Sequence, residues 1–335
     1  MSGHTDMVCL IIAGGRGKRM ASKDCHKVCF PIAGRPAIVR AIDTYKEAGL
    51  RRFVVVVGQM AEQVMATVSA VHPEVLFVFQ GEPRGTGHAA MVGVEALAAM
   101  GYNGHVMVVM GDKVTRADTV RRLIQRYREQ TPDLLLTALP KVAETSAGRV
   151  VQDEQGSVLG LVETADLRQS RETGRPIRLG GRDFSADEVE EQSLNVNASM
   201  YLFRFEVLRE ALRYISPVNA QGELYLTDTV AVIRRSGRVD CMLVSDPNDL
   251  MAYNTPAELL AIEEVVLQRE GQPPVAPPVE RLVSRRFLKP AKEWLAILDD
   301  NGPALRRVLA GFYGEDSAVL EERREAMRTV IQAFI

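Results

Sequence analysis

Five consecutive apolar residues, Val8-Cys9-Leu10-Ile11-Ile12, run straight into Ala13-Gly14-Gly15-Arg16-Gly17-Lys18-Arg19-Met20, with Lys27 just beyond. A short apolar run that stops on glycines reads as a buried strand ending in a tight turn. The glycines let backbone N–H groups crowd against an oxyanion, and Arg19 and Lys27 bring mobile positive charge to the same place. A nucleoside triphosphate whose α-phosphorus is to be attacked needs that combination. A glycine turn with two solvated basic residues is the plainer alternative. The segment lacks the Gly-Lys-Ser/Thr ending of the kinase and ATPase phosphate loop. Lys18, Arg19 and Met20 also follow Gly17 where a dinucleotide fingerprint wants a third glycine.

From residue 7 to about 265, short apolar runs alternate with helix-period segments, the pattern of a sheet sandwiched by helices. Strands are expected at Met7–Ile12, Phe53–Val57, Leu76–Gln80, Val106–Met110, Leu134–Leu139, Met200–Phe205 and Val239–Val244. Helices are expected at Pro36–Ala48, Met60–Val71, His88–Met100, Ala117–Glu129, Glu206–Tyr214, Leu226–Arg235 and Pro256–Arg269. Gly148 to Glu163 reads as a hairpin turning at Asp153-Glu154-Gln155-Gly156, and residues 164–194, polar and poor in pattern, read as a long loop. Gln272-Pro273-Pro274-Val275-Ala276-Pro277-Pro278 has the composition of a semi-rigid linker. The expected organisation is therefore a mixed-sheet α/β domain over residues 1–270, a Pro-rich linker over 271–280 and a helical segment over 281–335. In that last part Lys292–Leu298, Ala304–Phe312 and Ser317–Phe334 read as short amphipathic helices.

A chain of 335 residues, 46% hydrophobic and 25% charged, has ample core for this arrangement. Its formal net charge of −2 gives no general attraction for nucleic acid. No apolar run approaches the length of a membrane span, and Met1 to Asp6 carries neither the basic nor the apolar part of a secretion signal. Four cysteines in a chain this long point to a reducing, cytoplasmic setting. Cys25-His26-Cys29 has no second pair at zinc-ligand spacing and reads as small, half-buried residues beside Lys27.

Two later segments suit the first. Gln80-Gly81-Glu82-Pro83-Arg84-Gly85-Thr86-Gly87-His88-Ala89 lies where a strand ends and a helix begins. An amide has a donor edge and an acceptor edge, so Gln80 suits a pyrimidine's N3–H and carbonyl, with Gly85 and Thr86 admitting the base. The same residues serve equally as a plain helix N-terminus capped by Thr86, where His88 is structural. Val106-Met107-Val108-Val109-Met110-Gly111-Asp112 ends an apolar strand in a carboxylate, at the strand end where open α/β sheets collect ligands. Mg²⁺ needs only one or two protein oxygens alongside phosphate and water; the alternative is that Asp112 caps the helix near Ala117. The Asp-x-Asp of metal-dependent sugar transferases is absent.

These residues together resemble the sugar-nucleotide pyrophosphorylase family, and most closely the uridyltransferase domain of bifunctional N-acetylglucosamine-1-phosphate uridyltransferase/glucosamine-1-phosphate acetyltransferase. Ile12–Met20 with Lys27 matches the family's opening Leu-Ala-Ala-Gly-x-Gly-Thr-Arg-Met and Lys. Gln80, Gly85, Thr86, His88 and Ala89 match its Gln…Gly-Thr-x-His-Ala, and Met110-Gly111-Asp112 its Tyr-Gly-Asp. The most specific match is Asn219-Ala220-Gln221-Gly222-Glu223-Leu224-Tyr225-Leu226-Thr227-Asp228. The resemblance implies a Rossmann-like nucleotidyltransferase fold joining UTP to a sugar 1-phosphate, with N-acetylglucosamine 1-phosphate the first choice. It implies Arg19 and Lys27 as catalytic cations and Gly14, Gly15, Gly17, Gln80, Gly85, Thr86 and Gly111 around the nucleotide. Gly148, Glu163 and Asn197 would face the sugar, and Asp112 and Asn254 would hold Mg²⁺. The partners implied are small molecules, with no nucleic acid and no membrane.

The departures fall on the sugar side. The family's Glu-Ile-Asn-Thr-Gly is here Asn195-Val196-Asn197-Ala198-Ser199, Met110 replaces a tyrosine, and the segment between Glu163 and Asn197 is longer. The hexapeptide repeats of the acetyltransferase half are absent, so acetyl transfer is not expected. Glucose-1-phosphate uridylyl or thymidylyl transfer, and a non-catalytic nucleotide-sugar sensor, are the alternatives. A nicotinamide dehydrogenase is disfavoured because Val57 leads to Gly58-Gln59 with no acidic ribose-binding residue. Phe312 to Arg324 is weakly similar to the leading segment of galactokinase-type sugar kinases, which suggests a former fusion; a role in homo-oligomer formation is the other reading.

Overall fold

The structure, a computed structural model, describes residues 7–15, 17, 20, 25–142 and 146–271, with Ala318, Glu321, Arg324, Glu325 and Arg328. In chain order the strands are β1 (Met7–Ala13), β2 (Pro31–Ile32), β3 (Arg35–Pro36), β4 (Arg52–Val57), β5 (Leu76–Phe79), β6 (His105–Met110), β7 (Lys113–Thr115), β8 (Leu134–Pro140), β9 (Arg149–Gln152), β10 (Val158–Val162), β11 (Ile177–Leu179), β12 (Arg182–Phe184), β13 (Asn195–Arg204), β14 (Val239–Leu243) and β15 (Leu250–Ala252). The helices are α1 (Ala37–Glu47), α2 (Ala61–Ser69), α3 (Thr86–Ala99), α4 (Ala117–Gln130), α5 (Thr164–Thr173), α6 (Ala186–Gln192), α7 (Phe205–Leu212), α8 (Asp228–Ile233) and α9 (Pro256–Arg269). They fall into two compact units, Met1–Arg16 with Pro36–Met251, and Gly17–Arg35 with Ala252–Ile335.

The first unit holds a nine-stranded mixed sheet. Its path runs β10-β9-β13-β6-β1-β4-β5, and β8 pairs with both β13 and β14. β1 lies parallel to β4 and β6, and β4 parallel to β5. These strands are continuously apolar because helices cover both faces: Leu10, Ile11, Val55, Val56, Val108 and Val109 are fully buried. α3 lies so close to β1 that a Cβ on Gly93 would stand 2.5 Å from Leu10 Cδ1. β13 runs antiparallel to β6, β8 and β9, and its pairing with β8 shifts register between Asn197 and Tyr201. That bulge interrupts the ladder at Ala198 and Ser199. The α/β reading with a mixed central sheet holds, and every strand and helix expected between residues 7 and 269 is present with ends displaced by a few residues.

Residues 164–194 are not a long loop. They form α5, the β11–β12 hairpin and α6, closing a second small core with Val151, Leu159, Val162, Leu167, Leu179, Phe184 and Val189. The signals were local and dense. Gly180 and Gly181 take φ of 56° and 84° at the hairpin turn, the conformation that a tight two-residue connection demands. Ser185 and Glu188 form a reciprocal capping box that starts α6. Glu190 of α6 takes a two-pronged bond from the buried Arg149 guanidinium, at 2.9 and 2.7 Å, which ties this subdomain to β9.

In the second unit, α9 begins with Thr255 and Glu258 in a capping box and Pro256 in its first turn. Glu263, buried on α9, accepts the Ala33 N–H at 2.8 Å. The expected linker at 271–280 and the helices Lys292–Leu298 and Ala304–Phe312 lie outside the described residues, apart from Gly271. Of Ser317–Phe334, the five described residues are helical. No helix among the described residues is long and apolar enough to cross a membrane.

Candidate active site

The carboxyl ends of the parallel strands bring the first group of expected residues together. Gly14 follows β1, Gly58 follows β4 and Gln80 follows β5. A Cβ on Gly14 would stand 2.4 Å from Gln80 Oε1, and one on Gly58 would stand 2.7 Å from the Gly14 carbonyl. At Gly58 a side chain would meet the Gly14 backbone, and at Gly14 it would displace the Gln80 amide. The Gln80 N–H is fixed by the Val57 carbonyl at 2.7 Å, which sets its side chain over the end of β1. Gly111 is held by its N–H to the Ile12 carbonyl at 2.9 Å, so it too sits at the β1 end. Gly15 is exposed, with open space where a side chain would go. Asp112 follows Gly111 directly. It does not cap α4, because β7 intervenes and the α4 N-cap is Arg116, without a side-chain cap bond.

Gly85 and Thr86 start α3. Gly85 is its N-cap at φ 105°, and a Cβ there would stand 2.4 Å from the Leu224 carbonyl oxygen. Thr86 does not cap the helix; its Oγ1 accepts the Leu226 N–H at 3.1 Å. Gly87 N–H donates to the Leu224 carbonyl at 2.7 Å, and Leu224 N–H to the Arg84 carbonyl at 2.9 Å. The stretch Asn219 to Asp228 is therefore the brace that fixes the Gly85–Gly87 turn. Within it, Asn219 Oδ1 accepts the Gln221 and Glu223 N–H groups, both at 3.2 Å.

Gly148, Glu163 and Asn197 also converge. The Gly148 carbonyl accepts the Asn197 N–H at 2.8 Å, and a Cβ on Gly148 would lie 3.4 Å from Glu163 Oε2. The side chain of Asn197 is held at both ends: Nδ2 donates to Tyr201 Oη at 2.7 Å, and Oδ1 accepts the Ser199 N–H at 2.9 Å. Ser199 takes φ 54° inside the β13 bulge, a left-handed conformation that a side chain resists. Glu163 Oε1 accepts the Thr227 hydroxyl at 3.0 Å. Burial raises the Glu163 and Asp166 carboxyls, and burial together with those two carboxylates pushes Asp228 up to about 7. Three acids thus share one partly desolvated patch that stabilises protons, hydroxyl donors or cations. Thr227, Asp228 and Asp166 were not singled out as site residues, although two of them lie in the most family-specific stretch.

In the second unit, the Lys27 Nζ donates to Asn254 Oδ1 at 3.0 Å and lies 5.3 Å from the centre of the Tyr253 ring. Tyr253 Oη donates to the Lys27 carbonyl at 2.7 Å, and the buried His26 opens the turn by accepting the Val28 N–H on its Nδ1. Gly17 packs on Lys27, where a Cβ would stand 2.7 Å from the Lys27 Cβ. Lys27 and Asn254 therefore act on one another directly, an association that their separate expected roles did not foresee. Arg19 lies outside the described residues.

Comparison with known proteins agrees with this architecture. A family model described as MobA-like NTP transferase domain matches residues 9–177. Proteins named "Bifunctional protein GlmU" are similar: that of Clavibacter sepedonicus is 36% identical over 254 residues, 75% of this chain and 47% of the relative. That of Caldanaerobacter subterraneus subsp. tengcongensis is 32% identical over 79% of this chain and 52% of the relative. That of Solibacter usitatus is 34% identical over 78% and 52%. The chain spans about half the length of these curated relatives. A crystal structure of UDP-glucose pyrophosphorylase complexed with UDP-glucose shares the fold, with a TM-score of 0.59 and 16% identity over 78% of this chain and 98% of that one.

Proposed function

We propose, since this chain belongs to the MobA-like NTP transferase domain family, that it joins a uridine triphosphate to a sugar 1-phosphate and releases pyrophosphate. The observation that carries the reading is the pair of clusters on one sheet. Gly14, Gln80, Gly85 and Gly111 gather at the parallel strand ends, and Gly148, Glu163 and Asn197 join through direct contacts. The resemblance assigned the first to a nucleotide and the second to a sugar, and N-acetylglucosamine 1-phosphate is the sugar substrate we favour.

The attacking phosphate monoester has a second pKa near ~6 and is already largely dianionic at neutral pH, so no side chain need remove a proton. The chain's task is alignment and charge neutralisation. Gln80 and the Gly85 turn orient the base. Glu163 and Asn197 orient the sugar by accepting and donating hydroxyl hydrogen bonds. Lys27 and Arg19 offset charge on the α-phosphoryl group and the leaving pyrophosphate. Asp112 offers a carboxylate oxygen, a hard donor of the kind that Mg²⁺ takes, whereas the Oδ1 of Asn254, the other expected ligand, already accepts the Lys27 ammonium at 3.0 Å. When bound, that ion would neutralise phosphate oxygens.

The test is pyrophosphate release with Mg²⁺ and a matrix of nucleoside triphosphates against hexose and N-acetylhexosamine 1-phosphates. Turnover that requires both a uridine triphosphate and a sugar 1-phosphate supports the proposal. Tight binding of a UDP-sugar with no turnover would instead make the chain a sensor.

A further inference from the structure

Gln80 is 4% exposed, and its surroundings dictate which way its amide faces. Nε2 lies 3.0 Å from His88 Nδ1 and 3.5 Å from the Gly85 carbonyl oxygen. An amide nitrogen has protons for both and no lone pair; turned over, the amide would set oxygen against oxygen at Gly85. For Nδ1 to accept, His88 must carry its proton on Nε2. Gln80 Oε1, at the other edge, has no donor among the described residues. It faces Gly14, where the missing Cβ would have come within 2.4 Å. The donor edge is committed and the acceptor edge is open.

We infer that His88 is a positioning residue that locks the Gln80 amide with its oxygen toward the ligand, so that the site selects pyrimidines bearing a ring N–H. Uracil and thymine present N3–H to Oε1. Cytosine presents a lone pair there, which leaves two buried acceptors opposed and neither satisfied. The selection rests on the proposed nucleotide site, and it extends that reading from where a base lies to which base is accepted. The residue's place in the first turn of α3 gives the lock rigidity: Gly87, directly before it, donates its N–H to the Leu224 carbonyl at 2.7 Å, and the Leu224 N–H donates in turn to the Arg84 carbonyl.

The experiment measures kcat and KM for UTP and CTP, with N-acetylglucosamine 1-phosphate or glucose 1-phosphate, in the wild type, His88→Leu and His88→Asn. Leucine keeps bulk and removes the acceptor; asparagine returns an oxygen near the place of Nδ1. The wild type is expected to prefer UTP by about 100-fold or more in kcat/KM, the scale on which a site built around one hydrogen bond rejects its mismatch. His88→Leu is expected to cut that preference by about tenfold or more, mainly through KM, and His88→Asn to recover most of it. A UTP-to-CTP ratio unchanged in His88→Leu, with thermal melting showing a folded protein, overturns the lock alone. Should the wild type release no pyrophosphate with any pair, the transferase reading fails. Calorimetric binding of UTP and CTP then decides the lock by itself, and equal affinities overturn it.

Discussion

The Lys27 ammonium donates to the Asn254 carboxamide oxygen across 3.0 Å, although 227 residues separate them in the chain. The Tyr253 hydroxyl on the Lys27 carbonyl holds the same junction from the backbone side. The contact orients a long, flexible cation, and an oriented charge stabilises a developing anion without reorganising during reaction. Lys27→Ala is accordingly expected to lower turnover by about 100-fold or more, the scale of losing one aimed electrostatic group. Asn254→Ala is expected to lower it as well, by releasing the ammonium. Pyrophosphate release checks both, and wild-type rates in Lys27→Ala would remove it from the chemistry.

Gly85→Ala tests the brace around the proposed base site. At φ 105° the new Cβ would be strained and would meet the Leu224 carbonyl at 2.4 Å. Neither atom can yield cheaply, since Leu224 is itself tied to Arg84 and Gly87. The expected cost is about 2 kcal/mol or more in urea denaturation, with a raised KM for the nucleotide. A variant as stable as the wild type would show that the Asn219–Asp228 stretch adapts.

The parallel strands were legible because a continuously apolar run with glycine at its end admits few other structures, as β1 with Gly14 illustrates. The residues gathered at strand ends were legible for the same reason: topology fixes where β1, β5 and β6 terminate. Residues 164–194 were misread because Ile177–Phe184 and Ala186–Gln192 are short, polar and built by a Gly-Gly turn and a capping box. Their apolar residues complete a small core with β9 and β10 rather than forming a long periodic face. The His88–Gln80 bond and the Lys27–Asn254 bond depend on side-chain direction, which spacing alone does not determine.

Ser199 offers a way to probe the sugar side. Its φ of 54° costs roughly 1–2 kcal/mol for an L-residue, while glycine would give back about 0.5–1 kcal/mol in chain entropy. Ser199→Gly is therefore expected to change stability by less than about 1 kcal/mol, and Ser199→Val to cost about 1–3 kcal/mol. Both are read from urea denaturation. If Asn197 faces the sugar as proposed, removing the neighbouring hydroxymethyl group would give an N-acetyl group more room. The ratio of kcat/KM for N-acetylglucosamine 1-phosphate over glucose 1-phosphate should rise in Ser199→Gly, and an unchanged ratio would place Ser199 outside the sugar's reach.

Asp228 sets a pH dependence whose sign follows from its surroundings. Burial first, then the Asp166 and Glu163 carboxylates, push it up to about 7, far above an ordinary aspartate near ~3.9. Between those values the folded chain binds a proton that the unfolded chain has released. Stability from this group is thus complete below the unfolded value and is lost as pH rises through the folded one. Glu163 and Asp166 are raised too and act in the same direction. The urea midpoint should fall between about pH 5 and about pH 8, and it should fall less in Asp228→Asn, which carries the neutral form permanently. At the alkaline end the variant should be the more stable protein. Parallel slopes for variant and wild type would mean that Asp228 titrates like a solvated carboxylate, and the shared acidic patch beside Glu163 would lose its electrostatic basis.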